Sequence, residues 1–421
     1  MSGEGTKTPA RTEWGAGVEP LLEILGAEGE MLADRTEAWA AINSGSFELE
    51  NLTRMRGELL NAVAALPGDV SEVALKPSQR VRADGEVMDL EHGASIRVRV
   101  RPEAPIQAAL TGHYDTVFPA SHAFQKPWRE GEVLRGPGTA DMKGGIAVML
   151  AALAAFERLP GEKRVGYEVL LSPDEEVGSP ASAPLLAELG GRALFGMTYE
   201  PALADGALVD ARKGSGNFSL AFKGRAAHVG RAFVDGRSAV LAAAEAALAL
   251  NELNGAREGV TFNVGAIDGG SAVNVVPERA VLRFNVRAPD QEGAAWAQGE
   301  VARILASANQ RDGVSAHLHG AITRPPKPLN RQQHTMVGWT RAAGRALGLD
   351  LKFQASGGVC EGNNLAAAGC PNIDTLGPCG GGLHSEQEFA LLSSFSERAR
   401  LSFLLLAGVE RGLFDVRSLA S

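Results

Sequence analysis

Short apolar runs recur along this chain, and several stop at a histidine or an acid. Residues 106–110 lead to His113, 167–171 to the pair Glu175 and Glu176, and 193–198 to Glu200. Uninterrupted apolar runs of this length read as strands buried on both faces, and segments with helical spacing lie between them. Such alternation predicts a mainly parallel α/β sheet, in which ligand-binding groups gather outside the carboxyl ends of the strands. Gly136-Pro-Gly-Thr-Ala-Asp-Met-Lys-Gly-Gly145 opens an alanine-rich helix and carries Asp141, while His384 follows the glycine-rich 377–382. Five donors, His113, Asp141, Glu176, Glu200 and His384, are thereby directed toward one crevice.

Imidazole nitrogen and carboxylate oxygen are zinc donors, and two ions ~3.5–4 Å apart need one bridging carboxylate with terminal ligands on either side. Two histidines and three carboxylates suffice. Asp141 shared, His113 with Glu200, and Glu176 with His384 is one economical allotment, although spacing alone does not select it. Cobalt and manganese accept the same donors. Glu175, adjoining a ligand at a strand end, has the position of a general base for a water held between two ions. A solvated acidic loop competes with that reading, since Asp174 makes the stretch a run of three acids. Asp115 is placed to accept a hydrogen bond from the His113 ring and fix its tautomer, or else is a turn aspartate.

At 421 residues, the chain exceeds what one hydrophobic core usually serves. Helical spacing marks 18–33 and 34–66, broken near 43–46, and strands are expected at 73–75 and 96–100. From Lys213 the texture changes to an alternating strand at 217–222, a helix at 238–251, strands at 261–267 and 279–287, a helix at 294–307 and a strand at 315–319. Thr323-Arg-Pro-Pro-Lys-Pro328 reads as the return crossing, followed by a helix at 335–347. The expected division is a catalytic domain at 1–212 and 323–421 with an α+β insert at 213–322.

A net charge of −9 gives no broad basic surface and argues against nucleic acid as partner. No run of ~18 apolar residues suggests a membrane span, and the polar start 1–15 lacks a secretory core, so a cytoplasmic address is expected. Cys360, Cys370 and Cys379 lack zinc-knuckle spacing and read as reduced thiols.

At Gly112-His-Tyr-Asp-Thr-Val117, Gly136 to Asp141, Lys143-Gly-Gly145, Asp174-Glu-Glu-Val-Gly-Ser179, Tyr199-Glu-Pro201 and Leu383-His-Ser385 the chain resembles the dizinc metallopeptidase family of carboxypeptidase G, aminoacylase-1, acetylornithine deacetylase and succinyl-diaminopimelate desuccinylase. The resemblance implies a catalytic domain interrupted by a ferredoxin-like lid through which subunits form a homodimer. It implies the metal allotment above, Glu175 as general base and a cis peptide after Asp141. His228, in Gly224-Arg-Ala-Ala-His-Val-Gly230, is similar to a lid histidine that polarises the scissile carbonyl in the partner's site. Asn274 is similar to a substrate-contacting asparagine, and Arg287 to an arginine that grips a substrate carboxylate. For His228 and Arg287 the plainer roles are a polar strand end and an exposed strand arginine.

The expected activity is hydrolysis of the amide bond of an N-acyl amino acid or short peptide with a free carboxylate, by a water bridging two zinc ions. A departure bears on the substrate: Ser356-Gly-Gly-Val-Cys-Glu-Gly-Asn-Asn364 replaces a Gly-Gly-Thr-Asp-Ala-like segment, so Cys360, Glu361 and Asn363 either face the pocket or form a loop. Arg212 and Lys213 either favour an acidic substrate group or are hinge charges. Two rivals stand beside the hydrolase: a catalytically silent metal-binding module using the same cleft, and a cysteine hydrolase pairing Cys360 with His384. The latter leaves the acids unexplained, and no Gly-x-Ser-x-Gly elbow supports serine chemistry.

Overall fold

Every residue of the strand Val165–Ser172 is buried, the pattern of a strand covered on both faces. In the computed structural model, which describes Pro9 and residues 11–419, it lies inside a six-stranded sheet. The order is Asp69–Val73, Ser95–Val100, Val165–Ser172, Ile106–His113, Phe195–Thr198 and Asn372–Ile373. Ile106–His113 runs parallel to both its neighbours, and Asn372–Ile373 runs parallel to Phe195–Thr198. The two strands at the other side pair antiparallel, so the sheet is mixed with a parallel half that carries the ligand candidates.

Side-chain alternation divides this sheet between two layers. Ala108, Leu110, Val169 and Leu171 join the main core under the helices Lys143–Glu157 and Ser394–Glu410. Ala109 and Leu170 point the other way, toward Leu186 and Leu189 of Ala183–Arg192 and Leu365 of Glu361–Ala367. Outside the first layer lie Val18–Ala27 and Gly29–Ala40, and a third N-terminal helix, Leu49–Val63, follows. The expected break at 43–46 falls between the second and third of these helices, the first boundary lies at Glu28 rather than at 33–34, and the strand expected at 73–75 lies at Asp69–Val73. The polar start 1–15 falls partly outside the described residues.

A separate core of Phe218, Leu220, Phe222, Leu282, Phe284 and Val286 is built against the alanine-rich face of Ala239–Glu252 and against Gln291–Asn309. Its sheet is antiparallel throughout, in the order Thr261–Gly269, Arg279–Ala288, Gly214–Lys223 and Ser315–Arg324. Strand, helix, two strands, helix, strand is the ferredoxin-like succession. Both helices are capped, Ser238 accepting from the Leu241 N–H at 3.2 Å and Asp290 from the Gly293 N–H at 2.7 Å.

Two chain segments cross between the cores and exchange backbone hydrogen bonds, Arg212 N–H to the Lys327 carbonyl at 2.9 Å and Lys327 N–H to the Arg212 carbonyl at 3.0 Å. Both side chains reach the fully buried Asp374, Arg212 through two contacts of 2.9 and 3.0 Å and Lys327 at 2.6 Å. Asn363 donates to the carbonyls of Lys213 and Pro325 and so holds the same crossings. Among the described residues no helix is long and apolar enough to cross a membrane.

Candidate metal centre

His113 is the last residue of Ile106–His113, Glu200 follows Phe195–Thr198 by two residues, and Glu175 and Glu176 begin a short 3-10 turn just beyond Val165–Ser172. Three strand ends therefore deliver candidate ligands to one edge. Asp141 precedes Lys143–Glu157, where close packing requires glycine: a Cβ at Gly145 would lie 1.9 Å from the Tyr199 carbonyl oxygen. The Asp141–Met142 peptide is cis. His384 comes from a second sheet, on the loop between Cys379–Gly381 and Phe389–Leu391, and holds a left-handed φ of 59° that is uncommon for a residue with a Cβ.

Asp141 lies between the two imidazoles. Its Oδ1 is 3.1 Å from His113 Nε2 and its Oδ2 is 3.4 Å from His384 Nε2. On the first side Glu200 Oε1 is 3.7 Å from His113 Nε2, and on the second Glu176 Oε2 is 3.0 Å from His384 Nε2. His113, Asp141 and Glu176 have donor atoms close enough to share a cation, as do His113, Glu175 and Glu200. Glu175 thus competes geometrically for a ligand position. Its Oε1, however, pairs with the buried Arg324 guanidinium at 2.6 Å, whereas Glu200 Oε1 is buried with no hydrogen-bond partner among the described residues.

Burial, and then mutual repulsion, shift the proton affinities of the clustered carboxyls. Burial, with Asp141 beside it, pushes the Glu176 carboxyl up to about 8, and the same two causes raise Glu200 well above the carboxylate range. Burial also raises Glu175, against the pull of Arg324. Hydrogen bonds to Asp141 and Glu176 push His384 up to about 11. Burial would lower His113, but Asp115 and Asp141 drive it well up. Asp141 itself is driven below the carboxylate range by the two imidazoles, despite its burial. A site that draws protons in this way is relieved by cations, which replace those protons with fixed positive charge. An orphaned carboxylate oxygen and a mixed nitrogen and oxygen donor set fit the same group.

Asp115, fully buried, serves four neighbours. It lies 3.2 Å from His113 Nδ1, accepts from the N–H groups of Glu175 and Glu176 at 3.1 and 3.2 Å, and accepts from the Ser46 hydroxyl at 2.8 Å. The acidic run is not a solvated loop: Asp174 is fully buried and accepts from the N–H groups of Ala181 and Ser182.

Several supporting groups lie outside the site residues expected from the sequence. Glu388 accepts from the N–H groups of Ala140 and Asp141, and burial pushes its carboxyl up to about 7. Lys143 is fully buried with Nζ 2.7 Å from the Ile42 carbonyl, and burial brings it down to about 7. Arg324 stood in a motif read only as a crossing, where a cation between a strand and a Pro-Pro pair was its one distinguishing mark.

The departing segment turns inward. Cys360 caps Glu361–Ala367 by accepting from the Gly362 N–H, Asn363 Oδ1 in turn accepts from the Cys360 N–H, and Glu361 is fully buried against the Ser172 hydroxyl. Burial pushes the Cys360 thiol well up, which leaves the cysteine-nucleophile rival without an activated thiol.

The lid residues sit differently. Arg287 donates from Nε to Asn285 Oδ1 at 3.0 Å and from Nη1 to the Gly357 carbonyl at 3.2 Å, and burial lowers its pKa. His228 and Asn274 are exposed together on a small ribbon, Ala227–His228 paired with Val275–Val276. His228 Nδ1 accepts from the Gly230 N–H. Among the described residues neither His228 nor Asn274 bonds a side chain of the candidate metal centre.

The sequence model of Peptidase family M20/M25/M40 matches residues 109–407. The chain belongs to that family. Among curated M20 relatives, carboxypeptidase G2 of Pseudomonas sp. strain RS-16 is 26% identical over 386 residues, covering 90% of this chain and 91% of the relative. Succinyl-diaminopimelate desuccinylase of Novosphingobium aromaticivorans is 30% identical over 324 residues, covering 72% and 80% respectively. An M20 family metallo-carboxypeptidase from Sulfolobus solfataricus shares the fold with a TM-score of 0.68 over 94% of this chain and 100% of its own, at 15% identity. Family M20 is metal-dependent, and the chain is a hydrolase of the metallopeptidase and deacylase type acting on a small molecule or peptide.

Proposed function

We propose that this M20 hydrolase uses two zinc ions to cleave the amide bond of an N-acyl amino acid or short peptide bearing a free carboxylate. The observation that carries the reading is Asp141, which turns one carboxylate oxygen to His113 and the other to His384. His113, Asp141 and Glu200 would hold one ion, and Asp141, Glu176 and His384 the other. Bound there, the ions supply Lewis-acid polarisation and lower the pKa of water.

The remaining work belongs to the chain. Glu175 is the general base: it accepts a proton from the attacking water and returns it to the departing nitrogen. Arg324 fixes Glu175 through Oε1, which leaves the second oxygen to handle the proton. Asp115 holds the His113 ring in one tautomer and pins the backbone of Glu175 and Glu176, so base and ligand keep their spacing. Arg287 grips the substrate carboxylate. His228 and Asn274, on their exposed ribbon, complete the site of a second protomer in a homodimer, where His228 steadies charge on the scissile carbonyl oxygen.

A panel of N-acyl amino acids, with products identified by mass spectrometry, tests the reading. Release of a free amino acid is expected, abolished by chelation and restored by zinc. Turnover that survives complete metal removal, or binding without product across the panel, rejects it.

A further inference from the structure

Beyond the metal cluster, a cleft of about 560 Å³ separates the outer face of the lid sheet from the catalytic domain. Its floor follows from strand register. Asn263, Asn285 and Asn217 stand directly opposite one another on three adjacent strands, and Arg283, Ser219 and His319 form the next row. Asparagine is depleted in strands because its amide competes for backbone hydrogen bonds, so three in one row call for a reason beyond folding.

Much of the floor is not engaged with the protein. Asn285 is saturated, but Asn217 uses only its carbonyl oxygen, and among the described residues Asn263, Ser219 and His319 make no side-chain hydrogen bond. The opposite wall brings Phe47, nearly half exposed, beside His92, with ring centroids 6.4 Å apart. His92 bonds Ser78 through Nε2 and leaves a buried Nδ1 without a partner among the described residues. Arg80 adds a cation with no ion pair among the described residues, and neither aspartate nor glutamate lines the cleft. It is rich in free donors, free of acids and partly apolar.

The cleft is continuous with the reaction site. Val177, on its wall, directly follows Glu176. The row preceding the asparagines holds Arg287, Ser215 and Arg324, and successive rows are ~7 Å apart along the strands. Asn285 joins the two regions, accepting from Arg287 Nε at 3.0 Å and donating to Asn217 at 2.8 Å.

Building on the hydrolase reading above, we propose that this cleft receives the acyl group of the substrate and selects extended acyl chains that end in a carboxylate. With the amino-acid carboxylate held by Arg287, the acyl group is the part left to run along the lid floor. Phe47 and Val177 cover its methylenes, and Arg80, Asn263 and His319 meet the terminal anion.

Acetyl-, nonanoyl- and nonanedioyl-L-alanine test this directly. The wild-type protein is expected to favour nonanedioyl over acetyl by tenfold or more in kcat/KM, with nonanoyl between them. Arg80→Glu, at an exposed position, should cut the nonanedioyl-to-nonanoyl ratio at least tenfold, Arg80→Lys should restore it, and Asn263→Leu should lower the nonanedioyl-to-acetyl ratio. Equal kcat/KM for the three substrates, or ratios unmoved by Arg80→Glu and Asn263→Leu, overturns the assignment while leaving the hydrolase intact. Acceleration of acetyl-alanine cleavage by free nonanedioic acid, without competition, also overturns it in favour of an effector site. If no substrate is cleaved, calorimetry of nonanedioyl-alanine decides: binding weakened by Arg80→Glu supports the cleft although the hydrolase reading has failed, and binding indifferent to that change rejects the cleft too.

Discussion

At the scale of single residues, the centre depends on what each carboxylate is prevented from doing. Of three consecutive acids, Asp174 is spent on backbone N–H groups, Glu175 is held by Arg324, and Glu176 faces His384. Glu175→Gln keeps the shape and the Arg324 contact but cannot carry a proton. It should lower turnover ~10²–10⁴-fold with both ions retained, as read by steady-state kinetics and metal analysis. Unchanged turnover would remove Glu175 from the reaction. The raised Glu176 carboxyl has a consequence for metal uptake. Below about pH 8 it carries a proton that an incoming ion must displace, so zinc affinity should rise with pH through that window. Calorimetry of the metal-free protein in buffers of different ionisation enthalpy should find more protons released per zinc at pH 6.5 than at pH 9. Equal release at both pH values would count against this.

At the scale of elements, the ends of the parallel strands do the placing, and this was the legible part. Apolar runs marked the strands that end at His113, Ser172 and Thr198, because strands covered on both faces have no polar alternation to obscure them. The hairpin of Ser78–Val81 and Val87–Leu90 left no such mark, since it is largely exposed. Ser394–Glu410 went unread for the opposite reason. It is buried around nearly its whole circumference and so lacks a one-sided periodicity. Arg324 and Glu388 were illegible as site residues because their partners lie 149 and 247–248 positions away, and only the fold brings them together. Where Lys143–Glu157 starts against the strand end that carries Glu200, Gly145→Ala has no room beside the Tyr199 carbonyl. A loss of ~1–3 kcal/mol or more is expected, seen as a lower melting temperature and reduced metal content. Gly191→Ala, in an exposed helical turn with nothing within 4 Å, is the control and should melt at or slightly above the wild-type temperature.

For the whole molecule, His228 and Asn274 lie at a small exposed ribbon, and among the described residues neither side chain bonds a residue of the candidate metal centre. If they serve a partner, a protomer lacking His228 and one lacking Glu175 are each inactive but complementary. Mixing His228→Ala with Glu175→Ala protein should then restore up to about a quarter of wild-type activity through hybrid dimers. No recovery despite subunit exchange verified by mass spectrometry would confine catalysis to one chain. The buried joint of Arg212, Lys327 and Asp374 sets how the lid can travel. Asp374 ties both connecting segments to the same point on the catalytic domain, and the segments are hydrogen-bonded to each other. A door hung on two adjacent pins swings but does not slide or unscrew. Arg287 and Arg324 stand opposite the same residue, Ser215, on adjoining strands of the lid sheet, so any turn about this line would carry the proposed substrate grip and the proposed clamp on Glu175 together.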